Sequence, residues 1–215
     1  YEVAPLKDFK DMLRQADEQA GDKIAIRYFL DWASKSIRDV TYHEFKHETE
    51  ALGTGLASLG ITDCHVAMVS ENSYYWILTY VTVLNSSGVY VPVDKELPFD
   101  EIMNILRHSD SEVVFYSGAF ESKFRERADE LPQIKYFIGI DLPAELADGR
   151  FISRDALMAK GEELLEAGDD SYLSLESDDS ALKMLVYTSG TTGVAKGVML
   201  SLHNLVSSVY YGLQV

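Results

Sequence analysis

The string YTSGTTGVAKGVML, residues 187–200, concentrates hydroxyls, glycines and one cation in a stretch without an acid. Thr188, Ser189, Thr191 and Thr192 offer hydroxyl donors, and Gly190, Gly193 and Gly197 allow backbone amides to turn towards a ligand. Lys196 adds the positive charge that a polyphosphate requires. These residue types make a cradle for phosphate oxygens, although they also suit a plain Gly/Thr hairpin turn. The spacing is not that of a Walker A loop. Gly193 precedes Lys196 by three residues, and Gly197 stands where that loop needs a Mg²⁺-binding hydroxyl.

The distribution of charge bears on the same stretch. Residues 180–215 hold no Asp or Glu but include Lys183 and Lys196, while residues 1–179 carry all 35 acids and 17 of the 19 bases. An acidic protein that clears carboxylates from one glycine-rich segment leaves room for an anion; burial or chance produces the same gap. The net charge of −16 argues against general affinity for nucleic acid or an anionic membrane.

A second motif competes. His43, Glu44 and His47 spell H-E-x-x-H on a helical stretch, and histidines at i and i+4 share a face as zinc ligation needs. Glu44, however, also completes a capping box with Thr41, which would place His43 in the helix's first turn. Glu50 and Gly53 stand where the extended zinc pattern has glycine and a third histidine. No metal ligand is therefore assigned. His65 and His108 read as isolated, no pair of carboxylates has acid–base spacing, and no Ser-His-Asp arrangement emerges, so no catalytic residue is assigned.

The elements that must position the loop alternate along the chain. From Thr41 a helix runs with Phe45, Leu52, Leu56 and Leu59 on one face until Gly60. HVAMVS (65–70) reads as a buried strand, and residues 72–84 as a helix capped by Asn72 or Ser73. GVYVPVD (88–94) reads as a strand whose Pro92 implies an edge or a strand end. Pro98 opens another helix, EVVFYS (112–117) is a strand, FESKFRERADEL (120–131) a helix and IKYFIGI (134–140) a strand. Residues 24–40 suggest a hairpin. Residues 161–179 hold eight acids and no base and read as a solvated connection. ALKMLVY (181–187) then delivers the loop, VML (198–200) returns as its antiparallel partner, and residues 203–214 have helical character. The expected fold is α/β, a mainly parallel sheet flanked by helices. Its domains are 1–175, an N-terminal α/β subdomain, and 176–215, the start of a second subdomain carrying the loop.

Cys64 is the lone cysteine, which points to a reducing, cytoplasmic setting. No apolar run approaches the roughly 20 residues of a membrane span, which leaves peripheral membrane contact open.

The loop as a whole closely resembles that of AMP-forming acyl-CoA synthetases and their adenylate-forming relatives, Y-T-S-G-T-T-G-x-P-K-G-V-x-L-x-H-x-N. Tyr187 to Gly193, Lys196, Gly197, Val198, Leu200 and Asn204 match. Ala195 replaces the usual proline, which loosens the loop entropically, and Leu202 occupies the histidine position, with His203 one residue on. TYHEFKHETEALGTGLASLGI, the segment 65–94 with Asn72 and Trp76, and FDEIMNILRHSDSEVVFYS extend the likeness, closest to long-chain fatty acyl members. For Trp76 core packing is the favoured role.

The resemblance implies ATP, Mg²⁺ and coenzyme A as substrates or cofactors, and a carboxylic acid activated as acyl-AMP and passed to coenzyme A. It implies that Thr188, Ser189, Gly190, Thr191, Thr192, Gly193 and Lys196 hold the β- and γ-phosphates. The family's Y-G-x-T-E segment, ribose-binding aspartate and distal catalytic lysine are not found in residues 201–215. The chain thus reads as the N-terminal part of a larger ligase, inactive by itself and weak in ATP binding. The alternatives are a short non-catalytic nucleotide-binding or interaction protein, and an adenylation domain for another acid such as an amino acid.

Overall fold

The capping box expected at Thr41 is formed in full: Thr41 Oγ1 accepts from the Glu44 amide at 3.1 Å, and Glu44 Oε2 accepts from the Thr41 amide at 2.7 Å. It starts α2 (Tyr42–Ser58), which ends before Gly60, whose φ of +73° is left-handed. The computed structural model describes residues 4–31, 33–143, 148–188 and 196–212. Ahead of α2 come α1 (Phe9–Ala20) and the expected hairpin, β1 (Ile24–Asp31) paired antiparallel with β2 (Ser36–Thr41) as a separate two-stranded sheet. Glu48 of α2 ties that hairpin down. Its carboxylate is buried, pairs with Arg38 of β2 and accepts from the Tyr74 hydroxyl at 2.7 Å.

Strand–helix alternation then builds the main sheet. Its further elements are β3 (His65–Val69), α3 (Tyr74–Leu84), β4 (Val89–Pro92), α4 (Phe99–His108), β5 (Ser111–Tyr116), α5 (Glu121–Arg127), β6 (Tyr136–Gly139), β7 (Phe151–Ser153) and α6 (Arg154–Glu166). The chain closes with β8 (Leu182–Thr188), β9 (Lys196–Ser201) and α7 (Leu202–Gly212). The seven strands lie in the order β7-β6-β5-β3-β4-β8-β9, and every neighbouring pair is parallel except β8–β9.

Both faces of the sheet are buried over β3, β4, β5 and β6, as unbroken apolar runs in parallel strands require, whereas β9 at the edge is largely exposed. Alternate residues divide between two cores: Val66, Met68, Val113 and Phe115 face α1, α2, α3, α6 and α7, while Ala67, Val69, Val114 and Tyr116 face α4 and α5. Trp76 belongs to the first core as expected, stacked on Tyr80 and edge-on to Tyr90.

The tertiary structure narrows some readings and changes others. Ser73, and not Asn72, caps α3, accepting from the Trp76 amide at 3.2 Å. Pro92 ends an interior strand and lies at no edge, because β4 is flanked by β3 and β8. The 120–131 stretch is α-helical only over α5, with 3-10 turns at Gly118–Phe120 and Ala128–Glu130. The acidic stretch 161–179 is not a solvated connection throughout: α6 runs to Glu166, and Tyr172 is 2% exposed, its hydroxyl donating to the Thr82 carbonyl at 2.8 Å. Lys10 of α1 reaches across to the carbonyls of Tyr172, Leu173 and Leu175, so the acids face water while the backbone is anchored. α1, β7 and the start of α6 have no counterpart in the sequence reading.

Candidate functional site

Strand β8 brings the hydroxyl-rich string to the sheet. It runs parallel to β4 through the register pair Tyr90↔Met184, so Thr188 ends a strand that shares the direction of the parallel set. In open α/β sheets, ligands bind beyond the carboxyl ends of such strands. β9 returns antiparallel, as expected, with Val186 opposite Val198, Tyr187 opposite Gly197 and Thr188 opposite Lys196. The pairing places Thr188 and Lys196 across from each other, both exposed. Ser189, Gly190, Thr191, Thr192 and Gly193 lie outside the described residues, as does Ala195.

Gly197 has a local reason to be glycine. A β-carbon there would stand 2.9 Å from Cδ1 of Leu185 and 3.5 Å from Cζ of Tyr187, whose side chains flank it on the neighbouring strand. Asn204 has one too. Its Oδ1 accepts from the Ser201 amide at 3.0 Å, and Ser201 Oγ accepts from the Asn204 amide at 3.3 Å. This reciprocal cap turns the chain from β9 into α7.

The two cations of the acid-free segment do different things. Lys196 is exposed at the mouth of the turn. Lys183 is 1% exposed, and its ammonium donates to the Ser86 carbonyl at the end of α3. Burial, with the charge of Lys10 adding to it, holds the Lys183 pKa below the usual lysine range. Lys183 is thus engaged inside the protein, and Lys196 is the cation exposed at the turn.

His108 is not isolated. From the last residue of α4 its Nδ1 shares a hydrogen bond of 2.7 Å with the Tyr187 hydroxyl. Burial, reinforced by the nearby charge of Asp110, raises the Tyr187 pKa. No local signal announces this contact, since the partners are 79 residues apart. His65 likewise bonds the Ser109 carbonyl. At the family's histidine position Leu202 is 1% exposed and belongs to the core, whereas His203 is exposed and bonds Asp179 at 3.1 Å. His43 of the H-E-x-x-H string is mostly exposed and bonds Asp17 at 3.0 Å, and Glu44 is occupied by the capping box. Among the described residues, no three His, Cys, Asp or Glu side chains gather as a metal site, and no helix is long and apolar enough to cross a membrane.

Comparison with known proteins bears on the fold and on the family. Tyrocidine synthase 1 of Brevibacillus parabrevis is 28% identical over 204 residues, covering 93% of this chain and 16% of that protein. The chloroplastic long-chain-fatty-acid–acyl-carrier-protein ligase AEE15 of Arabidopsis thaliana is 28% identical over 217 residues, covering 94% of this chain and 29% of that one. Among solved structures, coronafacic acid ligase from Pectobacterium brasiliense superposes with a TM-score of 0.77 at 16% identity, over 94% of this chain and 36% of that one. The chain thus spans less than a third of the length of either curated relative. The family model described as AMP-binding enzyme matches residues 13–214, so this chain belongs to the AMP-binding enzymes.

Proposed function

We propose that the β8–β9 turn is the polyphosphate-handling part of an AMP-forming ligase that activates a carboxylic acid as its acyl-adenylate and hands the acyl group to coenzyme A. In this reading the acid's carboxylate attacks the α-phosphorus of ATP, and pyrophosphate leaves with its charge held at the turn. The observation that carries it is the pairing of Thr188 with Lys196, which sets an exposed hydroxyl and an exposed ammonium side by side where the described residues from 180 on hold no carboxylate. A lysine beside hydroxyl donors suits a phosphate oxygen, and preorganised charge of this kind stabilises a departing anion. Thr188, Ser189, Gly190, Thr191, Thr192, Gly193 and Lys196 are the residues assigned to it. Among the described residues no three His, Cys, Asp or Glu side chains gather to hold Mg²⁺, so in this reading the ion would come with the phosphate oxygens.

In this reading the adenine, ribose and acid contacts are assigned to no residue of this chain, which covers 16% and 29% of the two curated relatives. Its domains in this reading are 1–175 and 176–215, the second carrying the turn. The chain by itself binds pyrophosphate, binds ATP weakly and does not adenylate. A fatty acid is the first choice of substrate, in line with the printed name of the Arabidopsis relative. An amino acid is the second.

Calorimetry with magnesium pyrophosphate tests the turn. Lys196→Ala is expected to weaken binding about tenfold, as loss of one charge-assisted contact does. An unchanged affinity would remove the assignment. ATP–pyrophosphate exchange by the enzyme carrying this sequence, dependent on fatty acids or on amino acids, decides between the two substrates.

A further inference from the structure

The hairpin that carries the turn is anchored behind it. Tyr90↔Met184 joins β8 to the parallel strands, the buried Lys183 donates to the Ser86 carbonyl, Met184 and Leu200 pack against the first core and Leu185 against the second, while β9 is the sheet's edge. A further attachment lies closer to the turn. The Tyr187 hydroxyl bonds His108 Nδ1 at 2.7 Å, and the two rings meet edge to face with centroids 5.7 Å apart. The same tyrosine is the register partner of Gly197, and its Cζ lies 3.5 Å from where a β-carbon on that residue would stand. Next to it in the strands come Thr188 and Lys196. His108 thus connects α4, which is packed into the second core through Ile102, Met103, Ile105 and Leu106, to the backbone that fixes the spacing of the two exposed polar residues.

We propose that His108 is a positioning residue for the phosphate site: by holding the Tyr187 hydroxyl it keeps the ring along Gly197 and sets the distance between Thr188 and Lys196 before the ligand arrives. The proposal rests on the reading of the β8–β9 turn as a phosphate site. Its physical basis is preorganisation. Strand ends left to move beyond those anchors would have to be ordered by the ligand, and that ordering weakens binding. Both side chains keep some exposure, so the bond matters less for burial than for orientation.

The test uses the 215-residue chain with magnesium pyrophosphate as probe, read by calorimetry. Tyr187→Phe keeps the ring over Gly197 and removes the hydroxyl, while His108→Ala removes the other partner. Each is expected to weaken binding about fivefold, the worth of one hydrogen bond. The double variant should lose no more than either alone, because both act through one contact. His108→Gln, which keeps a side-chain acceptor, should recover most of the affinity.

Single variants that bind like wild type, or losses that add in the double variant, would overturn the positioning role while leaving the phosphate site standing. Wild-type protein that does not bind pyrophosphate would instead overturn the phosphate site and the role built on it. The ¹⁵N resonances of the His108 ring report the contact itself. Tyr187→Phe should shift the Nδ1 signal, and an unmoved signal would show that the bond does not form.

Discussion

Gly161 of α6 and Ala51 of α2 approach so closely that a β-carbon at position 161 would stand 1.8 Å from the Ala51 carbonyl oxygen. The obstacle is backbone, so the two helices must separate to admit even a methyl group. Gly161→Ala is expected to destabilise the protein by about 3 kcal/mol, the upper range for overpacking. Urea denaturation measures it, and a loss below about 1 kcal/mol would show that the helices slide apart freely.

Tyr172 lies over another glycine of α2. A β-carbon at Gly53 would meet the tyrosine's Cζ at 2.2 Å, and the hydroxyl beyond it donates to Thr82. Tyr172→Phe should cost about 1 kcal/mol for the hydrogen bond, and Tyr172→Ala about 3–5 kcal/mol for the emptied cavity. Thermal melts of the two variants separate these contributions. Equal effects would mean that the ring itself does not pack.

Lys183 puts an ammonium inside the protein, where it donates to the Ser86 carbonyl. Burial lowers its pKa on folding, so the unfolded chain binds more protons and stability rises with pH between the folded and unfolded values. The charge is thus a burden at neutral pH. Lys183→Met should raise stability by about 1 kcal/mol at pH 7 and flatten this alkaline rise. A destabilised variant would show that the bond to Ser86 outweighs the cost of burying the charge.

Cys64 is half-buried, and burial, with the negative charge of Glu112 adding to it, pushes its thiol up to about 11. An unfolded cysteine ionises near pH ~8.5. The folded thiol therefore contributes stability that is complete below that pH and is lost as pH rises towards about 11. Disulfide-reagent labelling of native protein should be slow at pH 8 and accelerate up to about pH 11, whereas denatured protein reacts with a midpoint near pH ~8.5. Equal rates at pH 8 would count against a protected thiol.

Much of the fold is legible in local chemistry. The Thr41–Glu44 box, the Ser73 cap, Gly60 after α2 and Pro98 before α4 each act within a few residues, where backbone sterics and one side-chain hydrogen bond decide the outcome. The readings that changed are those in which a distant partner overrides local composition. The acids of 161–179 describe a solvated stretch well enough, but they cannot announce that Tyr172 would find a groove at Gly53 or that Lys10 would take up the carbonyls beside it.

The sequence by itself determined the alternation of strands and helices, the parallel sheet and the family to which the 187–200 string belongs. The alternation and the sheet depend on residue spacing, which period-2 and period-3.6 burial impose on any chain that must cover both faces of a sheet, and the family rests on the likeness of the string itself. Only the tertiary structure decided that Lys183 is buried while Lys196 is exposed, that Leu202 fills the core in place of a histidine, and that His108 meets Tyr187. Contacts between residues 79 apart arise from the packing of whole elements, and no window of sequence contains both partners.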